Sequence, residues 1–438
     1  MDRLSAQEIV ELSKRYTLFD WQAQSKAAPL AVDRGEGVYF WTVDGTRYLD
    51  FNSQLMGLNI GHGDARVAEA IARQAKKLPY ISPFMAYEER ALLGQKMAEI
   101  LPGDIDKTFY TLGGAEANEN AVKIARMVTG RHKILARYRS YHGATTGAIT
   151  LTGDPRRWPN EPALSGVVHV LDPYHGPERP VDDAATALAN LEETIELEGP
   201  STIAAFILET VTGTNGILIP PDGYLRGVRE LCDRYGILMI ADEIMCGFGR
   251  TGEWFAVDHW NVVPDVISVA KGLTSSYAPL GALGLRPAVA AYFEDHVFWS
   301  GLTYNTHPIS VAAALATIAV YEEDGLIEHA RKMGDVMARH HQELKDKHPS
   351  VGHARNIGLF GILELVKNDR NEPLSPFNVQ NDTMTALNRF LLDHGLFTMV
   401  RWWNVMTNPP LIITEQQLGE GFEIIDEALA IADEAYEG

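Results

Sequence analysis

Two cysteines, Cys232 and Cys246, are all that 438 residues contain. They are too few for a disulfide framework and are not spaced as metal ligands, so the sequence predicts a reducing, cytoplasmic setting. Positive charge is scarce as well: 38 lysines and arginines face 58 aspartates and glutamates, a formal charge of −20. Nucleic acid and anionic membrane surfaces demand basic patches, so neither is expected as a main partner. No apolar run is long enough to span a bilayer, which takes about 18 residues or more. The stretch Met1 to Glu8 lacks the basic-then-apolar order of a secretion signal. Low-complexity segments and internal repeats are missing too. His340-His341 stands in charged helical text without H-E-x-x-H spacing, and reads as a solvated face rather than a metal site.

What remains is globular. A 46% hydrophobic, 22% charged chain of this length buries a large core and holds more than one compact region. Val38 to Val43 and Thr46 to Phe51 flank Asp44-Gly45, a two-residue hairpin signal. From about residue 105 to 310, short apolar runs alternate with helical patterns. The runs include 107–111, 133–136, 204–208, 237–241 and 266–270. This alternation predicts an α/β fold, a mostly parallel sheet covered by helices on both faces. Beyond His307-Pro308 the text turns helical and amphipathic, and a last helix begins at Thr414 with a capping-box partner at Gln417 and a stripe of Leu418, Phe422, Ile425 and Leu429. The expected division is a large domain over 61–320 and a smaller α+β domain built from 1–60 and 321–438.

Lys271 and Asp242 each follow one of the apolar runs, which sets an amine and a carboxylate at one sheet edge, where open α/β sheets bind ligands. Such a pair is either a salt bridge or the lysine and ring-nitrogen partner of a pyridoxal phosphate site. Gly113-Gly114-Ala115 precede a helical stretch ending near Gly130, and form either a tight turn or an anion cradle at a helix start. Tyr141-His142 is a buried hydrogen-bonded pair or a ring for stacking, and Glu209 caps a loop or faces a ligand. Gly247 to Gly252 match the dinucleotide pattern G-x-G-x-x-G, but no long helix follows and the acid expected at the end of a second strand is missing.

Taken together, Asp242 to Gly252, Pro264-Asp265 and Ala270-Lys271-Gly272 resemble the signature of class III aminotransferases, pyridoxal phosphate enzymes of fold type I. The resemblance runs from the hairpin near Gly37 to Pro409-Pro410-Leu411. It implies that Lys271 binds the cofactor covalently and that Asp242 pairs with its ring nitrogen. It further implies that Tyr141, with His142 beside it, stacks on the ring, that Gly114 and Ala115 hold the phosphate, and that Glu209 lies near the ring hydroxyl. Thr303 matches a threonine that reaches the phosphate of a neighbouring subunit in a homodimer. Phe19, Trp21, Phe84, Tyr141 and Trp402 suggest a roomy apolar pocket of the ω-aminotransferase kind, with an amine donor and a keto acid, expected to be pyruvate, as substrates. Gly-Gly-Ala stands where many relatives carry a serine, and Glu209-Thr210-Val211 where Glu-Pro-Val is common. Arg401 lies some two residues out of register with the arginine that clasps the acceptor carboxylate, leaving it either that role or a surface stack on an indole. Other activities of the same fold are an aminomutase or decarboxylase, and a non-catalytic pyridoxal-binding protein is the alternative outside enzymes.

Overall fold

The computed structural model describes residues 4–179 and 181–438, so the start of the Met1–Glu8 stretch lies outside it. Its centre is a seven-stranded sheet. Across the sheet the strands run Lys107–Thr111, Gly281–Leu285, Val266–Val269, Leu238–Asp242, Ile203–Glu209, Lys133–Arg137 and Val167–Val170. Gly281–Leu285 is antiparallel to both of its neighbours, and the pairings from Val266–Val269 to Val167–Val170 are parallel.

Both faces of this sheet are covered. Phe206, Leu208, Met239, Ala241, Ile267 and Val269 point into one apolar cluster. Their alternates Ala205, Ile207, Ile240 and Val266 point into another, together with Ala117, Ala121, Ile124 and Ala125 of the Gly114–Thr129 helix. Period-two side chains buried on both sides explain why these strands are near-continuous apolar runs.

Two smaller sheets flank the centre. Val32–Glu36, Tyr39–Thr42 and Arg47–Asp50 form an antiparallel set whose last strand pairs in parallel with Leu396–Phe397, joining the two ends of the chain. The hairpin tip is one residue wider than the Asp-Gly signal suggests: Thr42 N donates to Thr46 O at 3.0 Å, leaving Val43-Asp44-Gly45 in the loop. Gly45 supplies the left-handed residue, φ 90°. The other sheet comprises Val351–Ile357, Phe360–Leu365, Asn404–Thr407 and Val400–Arg401. It follows the helices Pro308–Glu323 and Leu326–Lys347, within the stretch that the sequence marks only as helical.

The final helix, Glu415–Asp433, has the expected capping box at Thr414 and buries its Leu418, Phe422, Ile425 and Leu429 stripe. His341 departs from expectation. It is buried, with Nε2 3.0 Å from Thr407 Oγ1, and only its neighbour His340 is half-buried, stacked 4.8 Å from Phe422. The inward stripe of the Leu326–Lys347 helix passes through 337, 341 and 344, so a charged stretch hides one core histidine. Among the described residues no helix is long and apolar enough to cross a membrane.

Candidate active site

Strand register brings three charged groups to one sheet edge. Glu209 lies opposite Asp242, Asp242 lies opposite Ser268, and Lys271 follows three residues later where the chain leaves the sheet. Lys271 adopts φ 27°, a conformation L side chains rarely take. It is held there by a 3₁₀ turn: Ser276 N donates to Lys271 O at 3.2 Å, and the buried Tyr321 hydroxyl donates to Gly272 O at 2.8 Å. The side chain is half-buried. Burial lowers its pKa, opposed by Asp242 and Glu209 and assisted by Arg156.

Asp242 is enclosed. Its Oδ2 is 2.7 Å from His142 Nδ1 and accepts from Asn118 Nδ2 at 2.8 Å, while Oδ1 accepts from Ile244 N at 3.0 Å. Asn118 also donates to His142 O at 2.9 Å, tying the first turns of the Gly114–Thr129 helix to the Tyr141-His142 segment. Glu209 accepts from Tyr141 N at 3.0 Å and from Gly213 N at 2.8 Å, and burial raises its pKa. The adjacent Glu243 serves the backbone instead, its carboxylate accepting the amides of Ala256 and Val257, both at 2.9 Å.

Gly113 caps the Gly114–Thr129 helix without any side chain, so the cap residue itself does not compete for the amides of the first turn. Close approach is built in there. A Cβ on Gly143, φ 137°, would stand 2.5 Å from Ala115 Cβ, and one on Gly114 would stand 2.7 Å from Ile244 Cδ1. An uncapped helix start facing a lysine and a buried carboxylate is a donor set that fits a phosphorylated pyridine.

A cavity of about 830 Å³ collects Gly114, Ala115, Tyr141, His142, Glu209, Asp242 and Lys271, together with Trp21, Arg401 and Trp402. Trp21 meets Tyr141 edge-on at 6.0 Å. Arg401 is not on the surface: it lines the cavity, lies 4.3 Å over Trp402, and pairs with Asp154 at 3.2 Å. Phe19, Phe84 and Thr303 fall outside the residues lining this cavity. Phe19 is half-buried with its N–H on Gln24 Oε1, whereas Phe84, 94% exposed, and the exposed Thr303 line a separate cleft of about 510 Å³. Asn118, Asp154 and Arg156 are polar members of the site that the sequence reading missed. The Asp154-Pro155-Arg156 text offers a turn signal, since Asp154 caps the short 3₁₀ helix that follows, but nothing local ties it to Lys271.

The Gly247–Gly252 segment is structural. Arg250 is wholly buried and donates to Leu359 O, Pro409 O, Ser53 Oγ and Asn59 Oδ1 at 2.6–3.1 Å, clamping both ends of the chain to the centre.

The Aminotransferase class-III family model matches residues 21–429. This chain belongs to the class III aminotransferases. Taurine:2-oxoglutarate aminotransferase from Bifidobacterium kashiwanohense, solved in complex with PLP and glutamate, superposes with a TM-score of 0.95 at 40% identity over 99% of both chains. A thermostable (S)-enantioselective ω-transaminase from Thermomicrobium roseum gives 0.91 at 34% identity, covering 98% of this chain and 100% of the other. Among curated proteins, putrescine–pyruvate aminotransferase of Pseudomonas aeruginosa is 31% identical over 92% of this chain and 90% of its own. The cofactor of the class is pyridoxal 5'-phosphate, and the protein is a pyridoxal phosphate-dependent transaminase of fold type I.

Proposed function

We propose that the protein transfers an amino group from an amine or ω-amino acid to a keto acid, with pyruvate as acceptor. The observation that carries this reading is the amine of Lys271 and the enclosed carboxylate of Asp242 at one sheet edge, in a cavity that also holds an uncapped helix start. Bound pyridoxal phosphate supplies the electron sink for the substrate carbon. The Gly114 and Ala115 amides hold its phosphate, Tyr141 covers the ring, and Asp242, oriented by His142, keeps a positive charge on the ring nitrogen. Glu209 faces the ring hydroxyl. Lys271 would anchor the cofactor, and its amine is placed to move a proton to and from the substrate carbon. Its lowered pKa leaves more of it as the neutral amine that proton transfer needs. Trp21 and Trp402 wall the substrate, and Arg401 receives the acceptor carboxylate.

Thr303, Phe84 and Phe19 enter the reading through a homodimer, in which a second copy brings them to its neighbour's cavity. The division into a large domain over 61–320 and a smaller one from 1–60 and 321–438, and a cytoplasmic setting, belong to the same proposal.

The Pseudomonas relative's name supports pyruvate; the Bifidobacterium protein's name favours 2-oxoglutarate as a second acceptor. A panel of amine donors, each with pyruvate and with 2-oxoglutarate, tests both. Conversion of the bound cofactor to its amine form, with release of an aldehyde or ketone, is the expected half-reaction. Loss of carbon dioxide or migration of the amino group without that conversion would assign a decarboxylase or aminomutase instead.

A further inference from the structure

A second, smaller chamber abuts the strand end that carries Glu209. Its volume is about 80 Å³, and Arg137, Asp172, Tyr174, Thr212, Leu218 and Arg355 are among the residues around it. Three guanidiniums and two carboxylates gather here. Arg139 takes Asp172 at 3.1 Å and Arg355 takes Glu364 at 2.8 Å, the two guanidiniums lying 5.5 and 5.7 Å over the Tyr174 ring, whose hydroxyl donates to Glu364. Arg137 is left over. It ends the Lys133–Arg137 strand only 3% exposed, its Nη2 donates to Glu209 O and, at 3.0 Å, to Thr212 Oγ1, and its buried Nε has no partner. Among the described residues no carboxylate stands within ion-pair distance of it. The oxygens that it does touch carry partial charge only.

A guanidinium stays charged inside a protein, and a buried charge without a counter-charge is strongly unfavourable. Asp172 and Glu364 do not serve, because each is already taken by its own arginine and by Tyr174, through the backbone N–H in one case and the hydroxyl in the other. We infer that the chamber binds a small monovalent anion of the chloride type, with Arg137 as its cation. The space sets the size. At about 30 Å³ per water it admits no more than two or three water-sized particles, which excludes sugar acids and nucleotides. The chemistry of the wall sets the charge: Leu218, Ile219, Pro220 and Pro221 supply apolar surface, which suits a halide better than a divalent oxyanion that needs many donors. Arg137 also reaches the active-site strand. It holds the backbone of Glu209, whose carboxylate accepts Tyr141 N and Gly213 N, so an anion that fixes the guanidinium braces that strand end from behind.

The test uses the holoenzyme in sodium gluconate, an anion too large for the chamber. Chloride replaces gluconate at constant ionic strength while the chloride NMR line and Tm are followed. Wild type should broaden the line in a way that bromide displaces, and Tm should climb with the same midpoint, because an ion that binds only the folded chain stabilises it. Arg137→Gln should weaken chloride binding about ten-fold or more, and Arg137→Lys, which keeps the charge but not the fork, should recover part of it. A wild type without displaceable broadening overturns the proposal. So does broadening that Arg137→Gln leaves unchanged, and its loss in Arg401→Gln would place the ion in the substrate cavity instead. Should Arg137→Gln fail to fold by circular dichroism, bromide diffused into wild-type crystals locates the ion by anomalous scattering. Density beside the Arg137 guanidinium is expected, and its absence there overturns the site.

Discussion

Lys271 combines a strained backbone, φ 27°, with an amine whose charged form is disfavoured by burial. Lys271→Ala should fold, lose the visible absorption of the protein-bound cofactor, release that cofactor on gel filtration and turn over almost not at all. An unchanged spectrum would move the covalent attachment to another lysine. Asp242 is different, because three donors fix it. In Asp242→Asn one carboxylate oxygen becomes an NH₂ that opposes a donor, and the counter-charge is lost. Single-turnover loss of the visible band should slow by about 10²-fold or more; near-normal rates would make Asp242 structural. His341 yields a prediction about stability. Burial pushes its pKa down to about 3 from 6.5, so between those values the unfolded chain binds the extra proton and stability falls as pH falls below 6.5. Glu243, raised from 4.5 to about 7 by burial, acts oppositely, the folded state holding the extra proton in that window, so stability falls as pH rises through it. The two largely mask each other in the wild type. Urea unfolding should therefore show wild type losing about 1.4 kcal/mol per pH unit relative to His341→Gln below pH 6.5. A constant difference between the two proteins would mean that His341 is not held neutral.

At the scale of elements, much of the centre was legible because burial on both faces writes itself into sequence. The runs at 107–111, 204–208 and 266–270 contain strands or lie within them, and Gly113-Gly114 does open a helix that stops at Gly130. Gly281–Leu285 was not legible. Its glycines remove the side chains that would mark a strand, and they do so for a reason: a Cβ on Gly281 would stand 2.5 Å from Gly113 O, and one on Gly284 would stand 2.7 Å from Ile105 Cγ2. The Asp154–Arg156–Arg401 cluster was illegible on other grounds, since its members lie 247 positions apart at the extreme and meet only in the folded chain. The same close packing around the helix start makes a prediction. Gly143→Ala forces φ near 137° on a residue with a Cβ and drives that atom into Ala115. The Gly114 and Ala115 amides should shift, weakening pyridoxal phosphate binding to the apoprotein about ten-fold and lowering Tm. Wild-type affinity measured by fluorescence titration would show that the phosphate is held elsewhere.

For the whole molecule, the question is what covers the cleft that holds Phe84 and Thr303. Around it Tyr80, Phe84, Met85, Trp299 and Tyr304 are all exposed, a concentration of large apolar surface that isolated soluble chains avoid. A net charge of −20 works against association between copies, and an apolar patch of this kind is a surface that would offset it. If a second copy seats there, Thr303 gains a place at its neighbour's phosphate, and assembly and cofactor retention become one equilibrium. Phe84→Glu should then shift sedimentation toward monomer. Thr303→Ala should leave the dimer intact yet weaken cofactor retention by roughly 1–3 kcal/mol, the cost of leaving a charged acceptor short of one donor. That loss should be the same whichever amine is used, because the phosphate is remote from the exchanged group. Combining the two changes separates cause from coincidence: once Phe84→Glu has dispersed the copies, Thr303→Ala should have no further effect on retention. A Phe84→Glu monomer that keeps its cofactor and its full rate at low concentration would confine the active site to one chain and leave the apolar patch to some other partner.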